Sequence, residues 1–141
     1  MTHDLMELRE LTDSLPPLPT GLPHGDDGYY EYPTVGDSGF VRAWSLLSDP
    51  RVAVAKFELS KGSVYPPHSH QMAKEWVIVY SGSLLVDVVG EVSCAHFRGQ
   101  DSVLRAGGCV HFVRGQVHQA TALEDTELLA ITIPRDDAYP D

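Results

Sequence analysis

The sequence predicts an all-β protein, an antiparallel sandwich or barrel, from three observations. After residue 40 the chain consists of short runs rich in β-branched and aromatic residues, which Gly, Ser, Asp and Pro separate. Such runs are typical of strands joined by tight turns. No segment in this part has the length and period of a helix. A chain of 141 residues also matches the size at which one hydrophobic core forms.

Eight strands are expected in this body, at residues 40–141. The runs that predict them are Val41–Leu47, Arg51–Leu59, Glu75–Tyr80, Leu84–Val89, Val92–Phe97, Cys109–Val113, Val117–Leu123 and Glu127–Ile133. Turn signals between them are Ser60-Lys61-Gly62, Ser81-Gly82-Ser83, Gly90 and Gly99. Closing such a sheet removes its exposed edges and encloses a pocket lined by alternate residues. A small body can therefore carry an interior site.

An acidic arm, residues 1–39, precedes the body and holds eight acidic residues and one basic residue. Apolar residues at helical spacing predict a short amphipathic helix over Thr2–Leu15. The residues of this stripe are Leu5, Leu8, Leu11 and Leu15. Four prolines within residues 16–23 stop the helix, so an extended Pro-rich strap follows. We expect the stripe to dock on the body or on a partner subunit.

The charge balance excludes several partners. The chain has 10 basic and 20 acidic residues and a net charge of −10 at pH 7. Nucleic-acid and membrane partners are not expected, because both require basic surface. The longest apolar run, Trp76 to Tyr80, is far short of the ~20 residues that cross a bilayer. The first residues are acidic, whereas a secretory signal begins with basic residues followed by an apolar stretch. A cytoplasmic protein with reduced cysteines is therefore expected.

One short motif is set aside. Gly36-Asp37-Ser38-Gly39 resembles the stretch around the nucleophilic serine of chymotrypsin-like proteases. In that family the histidine and aspartate precede the serine in a far longer chain, whereas only 35 residues precede Gly36 here. A glycine-rich turn before the body is the better interpretation.

A group of histidines predicts a metal site. His68 and His70 are separated by one residue, so on an extended strand both side chains project to the same face. Two such histidines alone could equally be structural. Glu75 can return to the same side after a short bend, and His118 can arrive from across the barrel after a turn. Three nitrogens and one oxygen suit Fe, Mn, Co, Ni, Cu or Zn and disfavour Ca or Mg.

The spacing also carries a family resemblance. Gly62-x5-His68-x-His70-x4-Glu75-x6-Gly82 is similar to the first motif of the cupin superfamily, and Gly107-x5-Val113-x-Gly115-x2-His118 resembles its second. The resemblance covers residues 40–135 and implies a jelly-roll β-barrel in which His68, His70, Glu75 and His118 bind one divalent transition-metal ion per chain. Two positions depart from the second motif, which usually has proline at Val113 and asparagine at Ala122. Val113 weakens the turn before His118, and Ala122 removes a polar group from its strand.

The chemistry of such an ion depends on its open positions. Four protein ligands on an octahedral ion leave two positions for water, dioxygen or a substrate with adjacent oxygens. A small enol, diol or hydroxy-ketone is therefore the expected substrate. The resemblance favours iron and a dioxygenase. With Zn, Mn or Ni, a Lewis-acid isomerase, cyclase or lyase is the alternative, and a ligand or metal sensor would use the same ligands. A structural or storage cupin is the third class.

The residues around the ion are less specific. Alternation places Val77 and Val79 on the face of Glu75, and Ala120 and Ala122 on the face of His118, which predicts a small apolar pocket floor. Groups that could donate or accept a proton there are Tyr65, His96, His111 and Cys109. His111 could face the cavity or the outer surface, and Tyr65 could be a packing residue.

The strand Glu75–Tyr80 is apolar on both sides, because Trp76, Ile78 and Tyr80 occupy its second face. Either a second sheet or another subunit must cover that face. A homodimer, as many cupins form, is expected.

Overall fold

The computed structural model contains strands and no helix in the residues that it describes. These residues are 29–32, 34, 39–97 and 102–134. The prediction of an all-β protein is confirmed, and this part of the chain offers no helical membrane span. The predicted helix over Thr2–Leu15, the strap up to residue 28 and residues 36–38 of the glycine-rich turn lie outside it.

Eleven strands make up the described part. They are β1 (Tyr29–Tyr32), β2 (Val41–Asp49), β3 (Val52–Leu59), β4 (Val64–His68), β5 (Lys74–Ser81), β6 (Ser83–Val88), β7 (Cys94–His96), β8 (Val103–Arg105), β9 (Cys109–Phe112), β10 (His118–Ala122) and β11 (Thr126–Ile133).

The strands form two antiparallel sheets. The larger sheet has the order β1-β2-β3-β11-β5-β9-β7, and the smaller has the order β4-β10-β6-β8. Distant parts of the sequence become neighbours, since β11 lies between β3 and β5 and β10 lies between β4 and β6. This crossing of strands brings the two predicted ligand segments together, as the register pair His118 and His68 shows.

The main core lies between the two sheets. Alternate residues of both sheets point inward and form one cluster, which includes Phe57, Val77 and Val110 from the larger sheet and Leu84 and Leu104 from the smaller. This burial of one face of each sheet is the packing expected of a sandwich or jelly roll.

The outer face of the larger sheet carries a second, smaller cluster around Trp76, Ile78 and Leu129. Trp76 and Ile78 are each only 6% exposed, whereas Tyr80 on the same face is 42% exposed. Among the three residues of the predicted homodimer interface, Tyr80 alone is exposed enough to contact a partner subunit. The homodimer stays a prediction.

All eight predicted runs coincide with strands, with ends that differ by a few residues, but three strands were missed. β1 lies within the arm and extends the larger sheet, so sheet pairing begins before residue 40. β4 contains two prolines, which usually argue against a strand. β8 has only three residues and, unlike the equally short β7, does not lie within a longer run of strand-forming residues.

Gly82 closes the tight turn between β5 and β6. Its φ of +92° lies in the left-handed region, which favours glycine. A Cβ atom there would approach the carbonyl oxygen of Asp125 and lie 2.5 Å from the Oγ1 atom of Thr126. Gly90 has a similar φ of +88°, but a Cβ atom would meet nothing within 4 Å.

Gly82→Ala should therefore destabilise the fold more than Gly90→Ala does. The left-handed conformation costs about 1 kcal/mol in either variant. The clash in Gly82→Ala should add about 1–3 kcal/mol to the loss of unfolding free energy. Urea denaturation of the two variants measures the difference, and equal losses would show that the space around Gly82 does not constrain the turn.

Candidate metal centre

The four predicted ligands converge at one end of the barrel. The donor atoms of His68, His70, Glu75 and His118 all lie within 4.8 Å of one another. Glu75 belongs to the larger sheet, while His68 and His118 belong to the smaller. Three of the four side chains are buried and His68 is half-buried. The cluster therefore joins the two sheets across the core.

Backbone pairing explains how the histidines meet. His68 ends β4 and His118 begins β10, and the two residues are register partners. The N–H of Gly115 donates to the carbonyl of His70 at 2.8 Å, which ties the loop after β4 to the turn before β10. The expectation that His68 and His70 share one strand was wrong, because β4 ends at His68. His70 reaches the cluster from a loop instead of by strand alternation.

Two of the imidazole rings are oriented by the same backbone device. The Nδ1–H of His68 donates to the carbonyl of Pro66, and the Nδ1–H of His118 donates to the carbonyl of Gln116, each at 2.9 Å. A carbonyl oxygen only accepts, so these contacts assign the proton to Nδ1. The Nε2 atom is then the ligand atom, and its position is fixed by the residue two places earlier.

Glu75 holds the centre of the cluster. Its Oε1 atom lies 3.0 Å from Nε2 of His118, and its Oε2 atom lies 3.3 Å from Nε2 of His70. Burial by itself would raise the pKa of Glu75. Hydrogen bonds with both rings and attraction to them lower this pKa by more than burial raises it, so it lies well below its usual range. Burial, together with repulsion from His118, lowers the pKa of His68.

The chemistry of this donor set fits a metal ion. Glu75 is ionised and His68 is neutral, which are the forms that bind metals. An Nε2 lone pair and a carboxylate oxygen that face each other at 3.0 Å repel, unless a cation lies between them. That cation can be a proton or a metal ion. Three nitrogens with one oxygen favour a divalent transition metal over Ca or Mg.

Aromatic rings pack around the histidines. Phe112 stacks on His118 with a centroid distance of 3.9 Å and an angle of 6°. The Tyr65 ring lies 4.4 Å from the ring of His68, and the rings of His68 and His118 are 4.2 Å apart. Neither His118 nor His68 can turn away without displacing these neighbours, which favours a preformed site.

The cluster forms one wall of an interior cavity of about 40 Å³. Of the four residues predicted for its floor, Val77 and Ala120 line it, whereas Val79 and Ala122 are buried in the core and do not. Its lining residues come from both sheets and are Phe57, Leu59, Tyr65, His68, Glu75, Val77, Leu84, Val86, Phe112, His118, Ala120, Leu128 and Ala130. Most of the other wall residues were not predicted. The alternation of inward and outward side chains along each strand could have identified them.

Of the predicted proton-transfer groups, the structure brings only Tyr65 to the cavity. Burial raises the pKa of Tyr65, and Tyr32 and Glu75 raise it further, so its phenol stays protonated. Cys109 is buried in the cluster on the outer face of the larger sheet.

The structure places His96 and His111, the two other proton-transfer candidates, away from the cavity. His111 stacks on Trp76 at 4.3 Å on the outer face, and the hydroxyl of Ser93 hydrogen-bonds to its Nδ1 atom. Val110 and Phe112 take the inward positions of β9, so His111 must point outward. His96 pairs with Cys109 in the sheet and is exposed. Neither histidine lines the cavity.

Gln116 compensates for the missing proline at Val113. The N–H of Gln116 donates to the carbonyl of Val113 at 3.1 Å, and its side-chain Oε1 accepts from the N–H of Val113 at 3.3 Å. Its Nε2 atom donates to the carbonyl of Glu91 at 2.8 Å. The turn before His118 is therefore braced by one side chain, which the sequence pattern did not reveal. Ala122, the second departure, is fully buried in the core.

Metal binding should depend on the cluster and on no other histidine of the body. His70→Ala and Glu75→Gln should abolish the binding of about one ion per chain that we expect for the wild type. The matched control is His96→Ala, because His96 is exposed and away from the cluster. Isothermal titration with Zn²⁺ measures all three variants. Undiminished binding in Glu75→Gln would contradict the proposed ligand set.

Metal binding should also release protons. In the metal-free chain a proton must separate Glu75 from the Nε2 atoms that face it, and the ion takes that place. We expect about one to two protons to be released per ion at pH 7. Zn²⁺ titrations in two buffers of different ionisation enthalpy report the number. Identical heats in both buffers would mean that no proton occupies the centre.

The chain was compared with known proteins. A family model described as cupin matches residues 39–140. Germin-like protein 3-1 of Oryza sativa subsp. japonica is 39% identical over 67 residues, which are 48% of this chain and 28% of the relative. Germin-like protein 3-5 of the same plant is 32% identical over 78 residues, 55% of this chain and 34% of the relative. The chain thus spans about a third of the length of these relatives.

Solved structures share the architecture at lower identity. KdgF from Halomonas sp. has a TM-score of 0.60 and 19% identity, and the match covers 76% of this chain and 92% of that one. An RmlC-like cupin from Shewanella frigidimarina has a TM-score of 0.61 and 17% identity, with 86% and 97% covered. The two-sheet jelly roll, the four convergent side chains and the family match together show that this chain belongs to the cupin family.

Proposed function

We propose that this chain is a mononuclear metal-dependent enzyme that acts on a small oxygen-bearing molecule, an enol, diol or hydroxy-ketone, as a dioxygenase. The observation that carries the proposal is the position of the ligand cluster in the wall of a cavity. An ion held there by His68, Glu75 and His118 would face the cavity with the coordination positions that the protein leaves open.

The donor set supports a catalytic ion over a structural one. Structural zinc sites are closed by four protein ligands in tetrahedral geometry, most often with cysteine. Here the cysteines lie elsewhere in the described chain, and three of the four donor residues, His68, Glu75 and His118, line the cavity. When bound, a divalent ion supplies Lewis acidity and, if it is redox-active, electrons for the reduction of dioxygen.

The protein's own residues would bind and orient the substrate. The cavity walls beyond the ligand cluster are mostly apolar, so a substrate that fills the cavity would displace water from the polar groups inside. Tyr65 presents a neutral phenol at the edge of the cluster, and its ring packs 5.1 Å from the ring of Tyr32. We place Tyr65 as the group that positions a substrate oxygen beside His68.

Iron is the metal we propose, with Zn, Mn, Ni, Co and Cu as alternatives. Nitrogen and oxygen donors in this ratio accept each of these ions, so geometry alone does not separate a dioxygenase from a Lewis-acid isomerase, cyclase or lyase. A ligand or metal sensor would use the same residues without turnover. Cytoplasmic placement and a homodimer stay predictions.

Oxygen consumption tests the proposal. Protein purified without a polyhistidine tag is loaded with Fe²⁺ under argon and exposed to small enols, vicinal diols and α-hydroxy-ketones in an oxygen electrode. Uptake of one O₂ per product, absent in His70→Ala, is the expected result. Product formation without O₂ uptake would replace the dioxygenase with the Lewis-acid alternative, and binding without any product would replace both with a sensor.

Tyr65→Phe should reduce turnover without loss of metal. Removal of the hydroxyl takes away one hydrogen bond to the substrate, which corresponds to a decrease in kcat of about tenfold. Iron content should stay at the wild-type value, because Tyr65 is not a ligand. Tyr80→Phe, on the exposed outer face, is the matched control. An unchanged kcat in Tyr65→Phe would show that Tyr65 only packs against its neighbours and does not position the substrate.

A further inference from the structure

We propose that the substrate carries no charge other than on the oxygens that bind the ion, and that it ends in a small apolar group that lies inside the barrel. This inference rests on the proposed function and names the chemical class of its substrate. Three features of the described residues support it: the composition of the cavity walls, the depth of the cavity and the character of its rim.

The cavity walls offer no partner for a second charge. Outside the ligand cluster, Tyr65 is the sole polar residue of the lining, and no Lys or Arg is among the lining residues. A carboxylate or phosphate at the far end of a substrate would be buried without a counter-charge, which is strongly unfavourable. The nine remaining lining residues are Phe57, Leu59, Val77, Leu84, Val86, Phe112, Ala120, Leu128 and Ala130.

The cavity extends well beyond the ion. Leu128 pairs with Val79, four residues along β5 from Glu75, which corresponds to about 13 Å. The smaller sheet shows the same depth, since Leu84 pairs with Ala122, four residues along β10 from His118. Both ends of this path belong to the lining through Leu128 and Leu84. A substrate whose oxygens bound an ion held by the cluster would find hydrocarbon walls in this direction.

The size of the space limits the apolar group. A cavity of about 40 Å³ exceeds the ~10–15 Å³ that one water requires, so it holds more than a single water. Its walls beyond the ligand cluster and Tyr65 are hydrocarbon, which favours an apolar guest there. A group of a few carbon atoms fits this space.

The loops at the ligand end expose apolar residues as well, beside the polar residues Gln71, Glu91 and Arg114. Met72, Val89, Val113 and Val117 are all exposed on loops that flank the ligands. The N–H of Val89 donates to the carbonyl of Val117 at 3.0 Å, which holds two of these loops together. Exposed apolar residues around a site mark a contact surface for an apolar molecule.

A set of three chelators with one shared head group tests the inference. Acetohydroxamate, butanohydroxamate and succinate monohydroxamate bind a metal through the same two oxygens and differ only in the tail. They are titrated into the Co²⁺-loaded chain, and the visible Co²⁺ spectrum reports the affinity. Each buried methylene contributes about a fourfold gain, so butanohydroxamate should bind about 15-fold more tightly than acetohydroxamate. Succinate monohydroxamate should bind less tightly than butanohydroxamate by at least that factor.

Two variants locate the tail. Ala130→Leu fills the cavity and should remove the advantage of butanohydroxamate over acetohydroxamate. Ala106→Leu, at an exposed turn, is the matched control. Leu128→Ala has the opposite effect on the cavity, because it enlarges the space, and it should shift the preference to hexanohydroxamate. The titrations of the wild-type chain test the inference even if neither variant folds.

The outcomes separate this inference from the proposed function. If none of the three hydroxamates perturbs the Co²⁺ spectrum, the ion has no open positions and the proposed function is overturned together with the inference. If all three bind with equal affinity, or succinate monohydroxamate binds most tightly, the open positions exist but the apolar, uncharged tail is wrong.

Discussion

A buried carboxylate facing imidazole nitrogens is the constraint on which this site depends. Glu75 is 3% exposed and ionised, a state that costs several kcal/mol unless positive charge is close. Nε2 of His118, at 3.0 Å, and Nε2 of His70, at 3.3 Å, can supply that charge only through a proton or a metal ion. The centre of the barrel is therefore built for a cation.

The donor residues of the site come from both sheets, so the packing of the two sheets determines the geometry of the site. Glu75 enters from β5, while His68 and His118 enter from two adjacent strands of the smaller sheet. Backbone carbonyls of Pro66 and Gln116 then fix the two rings that those strands present. Rigid placement of this kind lowers the cost of binding an ion, since the ligands lose little freedom when it arrives.

The sequence predicted the parts of the structure that depend on local pattern. The ligands were identified because glycine, histidine and glutamate recur at a fixed spacing, and eight strands were identified because each lies in a run of strand-forming residues between turn signals. β1 lies in the arm, no such run surrounds β8, and β4 carries prolines. His111 could not be assigned to a face because that choice depends on which strand lies beside β9. Gln116 is important only through contacts with residues far along the chain.

X-ray absorption spectroscopy of the metal-loaded protein tests the central claim most directly. With Fe²⁺ or Zn²⁺ bound, the expected spectrum shows only nitrogen and oxygen neighbours at about 2.1 Å and the outer-shell scattering of three imidazole rings. Loss of one ring in His118→Ala would agree with this assignment. A spectrum with sulfur neighbours, or with fewer than two imidazole rings in the wild type, would contradict it.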